Sequence, residues 1–220
     1  MENVILFKIT KMKEYSIETL VNNFGDFIQD NAQGVIINDY SNDFVQATYW
    51  NQIIRKRQSY NLSEKKFNYI EEMIIDASDF MIRIDAERMV IFGGKSIAQR
   101  IITLLGIISG NSYIISRYVI DIRKVAENVC NNTNIKILKL KLVDVPIEKN
   151  VLVNCIVDLT IQENPKVLIK KYIDNINAIS MNIKDINTTV TMYKNGRITV
   201  GKIVYGNIED IVEKIFKIID

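Results

Sequence analysis

Hydrophobic positions along the chain follow two periods, and the switches between them mark the elements. Val4–Ile9 alternates and predicts a first strand. Ser16 then stands at the N-cap of a helix whose apolar positions, Ile17, Leu20, Val21, Phe24 and Ile28, fall on one face. Asn31–Gly34 reads as a turn. Val35–Asn38 and Phe44–Ile54 read as strands joined by the polar turn Tyr40–Asp43, and the stretch from Asn51 to Tyr60 passes through a short basic run into a loop. Ser63–Ile75 fits a helix by Phe67, Ile70 and Ile74, and a strand by its isoleucine-rich end. Phe80, Ile82 and Ile84 alternate with Met81, Arg83 and Asp85; after a tight turn at Ala86-Glu87 the chain returns as Arg88–Phe92. Gly93-Gly94 closes that hairpin, and Ser96 is expected to cap a helix that stops at Gly106.

A second long helix is predicted from Ser112, with Ile115, Tyr118, Val119, Ile122, Val125 and Val129 on its apolar face. The polar run Asn131–Asn134 is the natural boundary between an N-terminal half, 1–130, and a C-terminal half, 135–220, unless the two form one continuous domain. Beyond it Leu138, Leu140 and Leu142 face one way and Lys139 and Lys141 the other. Val151, Val153, Cys155, Val157, Leu159 and Ile161 keep a strict period of two. Asn164-Pro165 starts a helix expected to reach Ile176, because proline is favoured at the first helical position. Thr188–Tyr193 and Arg197–Val200 flank Asn195-Gly196, a hairpin signal since both turn residues tolerate positive φ. Asn207 caps a last helix with Ile208, Ile211, Val212, Ile215, Phe216 and Ile219 on its face and Glu209 and Asp210 in its first turn. The sum is an α+β protein, an antiparallel sheet backed by helices.

Two segments share one grammar of strand, tight turn, strand, glycine and helix: Phe80 to Leu105 and Thr188 to Ile219. Arg88 and Arg197 then correspond, about half the chain apart, which predicts two pseudo-repeated halves. Within the first segment, Arg88-Met89-Val90-Ile91-Phe92-Gly93-Gly94-Lys95-Ser96 resembles the stretch of the TATA-box-binding-protein family in which a hairpin strand enters the long helix. Tyr193-Lys194-Asn195-Gly196-Arg197-Ile198 is similar to the matching hairpin tip of that family's other repeat. The resemblance covers some forty residues in two pieces. It implies a saddle-shaped antiparallel sheet backed by helices, with the sheet underside on the DNA minor groove. The family's wedging phenylalanine pairs have no counterpart here, and Gly201 and Gly206 stand before and after the position that would match the first repeat's glycine.

Composition narrows the chemistry. The 220 residues include no histidine, which excludes imidazole-based triads and His-containing zinc sites. Two cysteines, Cys130 and Cys155, are too few for a structural zinc site or a disulfide framework; Cys155 reads as a small buried hydrophobe. The formal charge is only +2, so a basic binding surface must come from local clustering. The N-terminus lacks the basic and apolar regions of a signal peptide, and the apolar stretch Ile101–Ile108 is too short to span a bilayer. A cytoplasmic protein without a membrane partner is expected.

Basic residues beside aromatics carry the leading candidate site. Arg55 and Arg57 follow Tyr49 and Trp50, Lys139 and Lys141 share a strand face, and Lys194 and Arg197 flank the Asn195-Gly196 turn. Such side chains on a sheet bind nucleic acid through phosphate contacts and stacking, and the same pattern also fits a wetted outer face. Asp76, Asp79, Asp85 and Glu87 with Lys95 offer acids for a metal-dependent nuclease, although acids at turns are commonly turn formers. Gly93-Gly94-Lys95-Ser96 lacks the first glycine of a P-loop, Met89 standing in its place, and leaves only anion attraction by a helix N-terminus. Binding is therefore favoured over catalysis: a non-enzymatic nucleic-acid-binding module without cofactor, with a protein-interaction subunit of a larger intracellular complex as the alternative and the nuclease third.

Overall fold

The computed structural model of the chain describes residues 2–12, 15–26, 32–162, 164–201 and 208–220. The expected helical position Ile28, the expected turn residue Asn31, the cap Asn207 and the glycine Gly206 lie outside the described residues, as do the side chains of Ile208 and Glu209. Contacts divide the chain into two compact units: Lys8–Ser116, and Met1–Phe7 together with Arg117–Asp220.

In the first unit, strand β1 (Glu2–Lys11), which both units share, leads into helix α1 (Ile17–Asp26). The predicted cap forms: the Thr19 N–H donates to Ser16 Oγ at 3.0 Å. Strands β2 (Gln33–Tyr40), β3 (Phe44–Asn61), β4 (Lys66–Arg83) and β5 (Arg88–Phe92) follow as a meander in that spatial order, with β5 next to β1. Val45 lies opposite Ile82 and Ala47 opposite Phe80, with Met89 and Ile91 next in line; all six are buried. Helix α2 (Lys95–Ile108) brings Ile97, Ala98, Ile101, Leu104 and Leu105 inside, and α1 adds Ile17, Leu20 and Phe24, whose ring meets that of Phe80 at 6.0 Å. Each large apolar side chain among these contributes about 1.5–3 kcal/mol when fully buried.

Several expectations need correction here. The basic run does not lead into a loop, and of the two readings of Ser63–Ile75 the strand holds from Lys66: β3 and β4 are strands of 18 residues each, joined by a turn. Gly34 belongs to β2 rather than to a turn. Gly94, not Ser96, is the N-cap of α2, with no side-chain cap, and the helix runs through Gly106 to Ile108. The long helix expected from Ser112 is instead strand β6 (Tyr113–Arg117), paired with β1, followed by helix α3 (Ile122–Asn131). The β-branched Ile114 and Ile115 favour extended backbone, and Asp121 supplies a cap nine residues after Ser112.

In the second unit, α3 precedes β7 (Ile135–Glu148) and β8 (Val151–Asp158), a short helix α4 (Pro165–Lys171) and a 3-10 turn. A meander of β9 (Ile176–Ile183), β10 (Thr188–Tyr193) and β11 (Arg197–Val200) and helix α5 (Ile208–Ile219) complete it. The strands lie in the order β8-β7-β9-β10-β11-β1. Helix α4 ends at Lys171, not at Ile176, and β8 ends at Asp158, leaving Ile161 exposed. Cys155 is half-buried rather than buried. A bulge after Ile137 puts Ile137 rather than Leu138 in the leucine row, so the buried positions are Ile137, Leu140 and Leu142. The Asn195-Gly196 hairpin forms as expected, with Gly196 at φ 81°. Helices α3 and α5 pack together, and Asn128 Nδ2 donates to the Ile218 carbonyl at 3.0 Å.

All pairs with a defined register are antiparallel, and the fold is α+β. Both units carry the succession helix, meander, helix: α1-β2-β3-β4-β5-α2 in one and α3-β7-β9-β10-β11-α5 in the other, the latter with β8 and α4 inserted. No helix among the described residues is long and apolar enough to cross a membrane.

Candidate nucleic-acid interface

The sheet of the second unit has one covered and one open face, and strand alternation decides which side chain goes where. Ile179 and Met181 of β9, Val190 and Met192 of β10 and Ile198 and Val200 of β11 are buried. Their neighbours in each strand therefore point to the other side. Register places these neighbours in rows: Lys139 beside Ser180, Ser180 beside Thr191, Thr191 beside Thr199, and Thr199 beside Asn3. Asn182 and Thr189 form the next rung and Lys141, Ala178 and Tyr193 the one on the other side. Ser180, Asn182, Thr189, Thr191, Tyr193 and Thr199 are half-buried, and Lys139 and Lys141 are exposed. The open face is thus a strip of hydroxyls and amides. A hydrogen bond between Thr191 and Ser180, 3.1 Å long, ties two of them across the strands.

Cations stand at both sides of this strip. Lys139 and Lys141 lie on β7, with Ile156 and Asp158 beyond them on β8. Lys139 Nζ is 3.7 Å from Asp158 Oδ2, both well exposed, so this pair weakens rather than removes the positive charge. Thr160 hydrogen bonds hold the Asp158 carboxyl below its usual range, with a smaller contribution from Lys139. On the other side Arg197 begins β11. Its guanidinium carbon lies 5.3 Å from the Tyr193 ring centre, and Nη2 donates to Asn3 Oδ1 at 3.0 Å. These two contacts hold an exposed cation in one orientation over the strip. Three inter-strand steps separate β7 from β11, roughly 14 Å.

The six basic residues expected at the site are not gathered together. Lys139, Lys141 and Arg197 share the open face of one unit. Lys194, in the adjacent turn, lines a separate cleft with Asp121 and Asp174. Arg55 and Arg57 belong to the other unit, where β3 sets Arg55 opposite Glu72 and Arg57 opposite Ile70. Trp50 is half-buried over Gly34, where a β-carbon would come within 2.8 Å of the indole. The hydroxyl and amide row is a feature that the sequence reading misses. Its signal is present in Thr189-x-Thr191 and Thr199, which alternate with buried apolar residues.

Other candidates take shape differently. Among the described residues no three cysteine or carboxylate side chains converge as metal ligands would. Asp85 instead accepts from Arg83 Nε at 3.1 Å and from Nη2 at 2.8 Å, bonds that lower its carboxyl below the usual range and close the hairpin turn. Lys95 and Ser96, at the start of α2, line a cleft of about 800 Å³ with Gln33, Gln99, Arg100 and Thr103. Cys130 lines a cleft of about 490 Å³ beside Lys166 and Lys170; burial pushes its thiol up, and the two ammonium groups oppose that rise. No known protein-family model matches the chain, and no curated protein sequence is significantly similar to it.

Proposed function

We propose that the chain is a non-enzymatic nucleic-acid-binding module that uses the open sheet face of its second unit. The observation that carries this reading is the flanked strip: hydroxyls and amides of Ser180, Asn182, Thr189, Thr191 and Thr199 between Lys139 and Lys141 on one side and Arg197 on the other. Lysine and arginine neutralise phosphates and release counterions. Short hydroxyl and amide side chains hydrogen-bond to phosphate oxygens and base edges, which fixes register on the nucleic acid. A flat β-face presents these groups at fixed spacing without ordering a loop. The matching succession of elements in the two units supports an internal repeat, and with it the resemblance to the TATA-box-binding-protein family.

Fluorescence anisotropy of labelled single- and double-stranded DNA and RNA, at two salt concentrations, tests the reading. Binding that weakens with salt, and that the double substitution Lys139→Glu with Lys141→Glu abolishes in a folded protein, is the expected result. Absence of binding to any of the probes at low salt overturns it. The alternative, a protein-interaction subunit, draws on a different surface, the projecting part of β3 and β4.

A further inference from the structure

Strands β3 and β4 outrun their neighbours. Among the described residues strand β2 is in register with β3 only as far as Asn51, and β5 pairs with β4 only from Arg83 to Phe80. The Gln52 N–H still donates to the Ala32 carbonyl; beyond it and up to the turn at Leu62–Lys65, among the described residues, the two strands pair only with each other, from Ile53↔Ile74 to Asn61↔Lys66. A two-stranded ribbon is at best marginally stable in water and needs a further layer against one face.

Alternation gives this ribbon two unlike faces. One carries Arg55, Arg57, Glu72 and Asp76 interleaved with Ile53, Ile70 and Ile74. The other carries Ile54, Met73 and Ile75 near the base and Tyr60, Phe67 and Tyr69 near the tip, with exposures from 48% for Tyr60 to 71% for Tyr69. The Tyr60 and Phe67 rings pack edge to face at 4.9 Å, which stiffens the tip. Midway between the two apolar clusters stand Lys56 and Glu71, directly opposite each other and 3.0 Å apart. Six large side chains at this exposure present several hundred Å² of mostly apolar surface, at the upper end of what a solitary soluble surface shows. That is of the order of the ~800 Å² each partner contributes to a stable interface.

We infer that this ribbon face docks against the same face of a second copy of the chain. The charge pattern selects that occupant. With one cation and one anion the face has no net charge, so it lacks the excess that draws a nucleic acid or an anionic membrane. It is self-complementary instead. A twofold axis running along the strands lays Lys56 of one copy over Glu71 of the other, twice, while apolar clusters meet apolar clusters. The two ion pairs then fix the register between ribbons, and the apolar ends supply the burial.

Sedimentation velocity of the full chain over a range of concentrations tests this, with circular dichroism to verify the fold. The wild type is expected to form dimers, and Tyr69→Glu with Met73→Glu to yield monomers; both positions are exposed, so the sheet persists. Lys56→Glu alone and Glu71→Lys alone should each weaken the dimer about tenfold or more, by placing like charges face to face. Mixing these two variants should restore dimers, because the carboxylate introduced at position 56 of one then meets the ammonium introduced at position 71 of the other. A wild type that stays monomeric at high concentration overturns the inference, as does a dimer indifferent to the ribbon substitutions. Failure of the mixture to rescue shows that the Lys56–Glu71 pair acts only within one chain, and likewise overturns it. Nucleic-acid binding by the open face of the second unit is measured separately and is unaffected by either result.

Discussion

Gly196 stands so close to Tyr118 that a β-carbon on it would lie 2.1 Å from the Tyr118 carbonyl oxygen. The same residue has φ at 81°, and its own carbonyl accepts from the Leu6 N–H at 3.1 Å. Position 196 therefore excludes a side chain twice over, by conformation and by space. Gly196→Ala should destabilise the chain by more than the ~1 kcal/mol of a left-handed alanine alone, and about 3 kcal/mol is expected once the backbone must move apart. Urea unfolding measures it; a loss below about 0.5 kcal/mol, the size of an ordinary surface change, would contradict the tight approach.

Asp121 is the N-cap of α3, its Oδ1 accepting from the Arg123 N–H at 3.0 Å and the Lys124 N–H at 3.3 Å. Asp121→Ala removes both and should cost about 1 kcal/mol. Asp121→Asn keeps the acceptor and should cost less. Equal losses for the two would show that the carboxylate charge, not the cap geometry, is what matters.

Tyr113 should make the chain sensitive to alkali. It is buried, and burial first, then the neighbouring Tyr15 hydroxyl, raises its pKa from 10.0 to about 12. The rings of the two tyrosines meet edge to face at 5.8 Å. A raised phenol pKa means that the folded state holds the proton more tightly than the unfolded one. The stabilisation is complete below pH 10 and disappears as pH rises through about 12. Melting temperature followed across that window should fall more steeply for the wild type than for Tyr113→Phe. Parallel curves would mean that the hydroxyl titrates as in an open chain.

If the open face binds nucleic acid, each phosphate contact carries a defined salt signature. Lys141→Gln should lower the slope of log affinity against log salt by about one phosphate contact. Lys139→Gln should lower it by less, since Asp158 already offsets part of its charge. Thr191→Val removes the hydroxyl that bonds Ser180 without changing charge; it should weaken affinity and leave the slope alone. Anisotropy titrations across several salt concentrations separate these outcomes.

Legibility from the sequence follows how local each determinant is. The β10–β11 hairpin is readable because Asn195-Gly196 specifies its own turn, and α1 because Ser16 and a helical stripe agree. The helix expected from Ser112 fails because Ile115, Tyr118, Val119 and Ile122 match a helical period across what is really a strand, a connection and a capped helix. Arg55 and Arg57 read as one site with the lysines because both runs are basic; only the fold assigns them to different units. The continuation of β3 past Ile54 to Asn61 escapes notice since its two faces are both largely exposed, and neither the burial period nor a turn signal marks it. Its partner, Lys66–Ile75, is ambiguous for the same reason.

Strand β1 gives the second unit an order of assembly. Glu2 pairs with Val200 and Ile5 with Arg197, so a segment already synthesised waits for residues made almost two hundred positions later. At about 5–20 residues per second the wait lasts some tens of seconds on the ribosome. The first unit, Lys8–Ser116, is synthesised well before then, whereas the β11 partner of Val4, Ile198, emerges near the end of the chain. Translation pace, and any chaperone that shelters the leading strand, thus become determinants of yield for this chain in a way that equilibrium stability does not report.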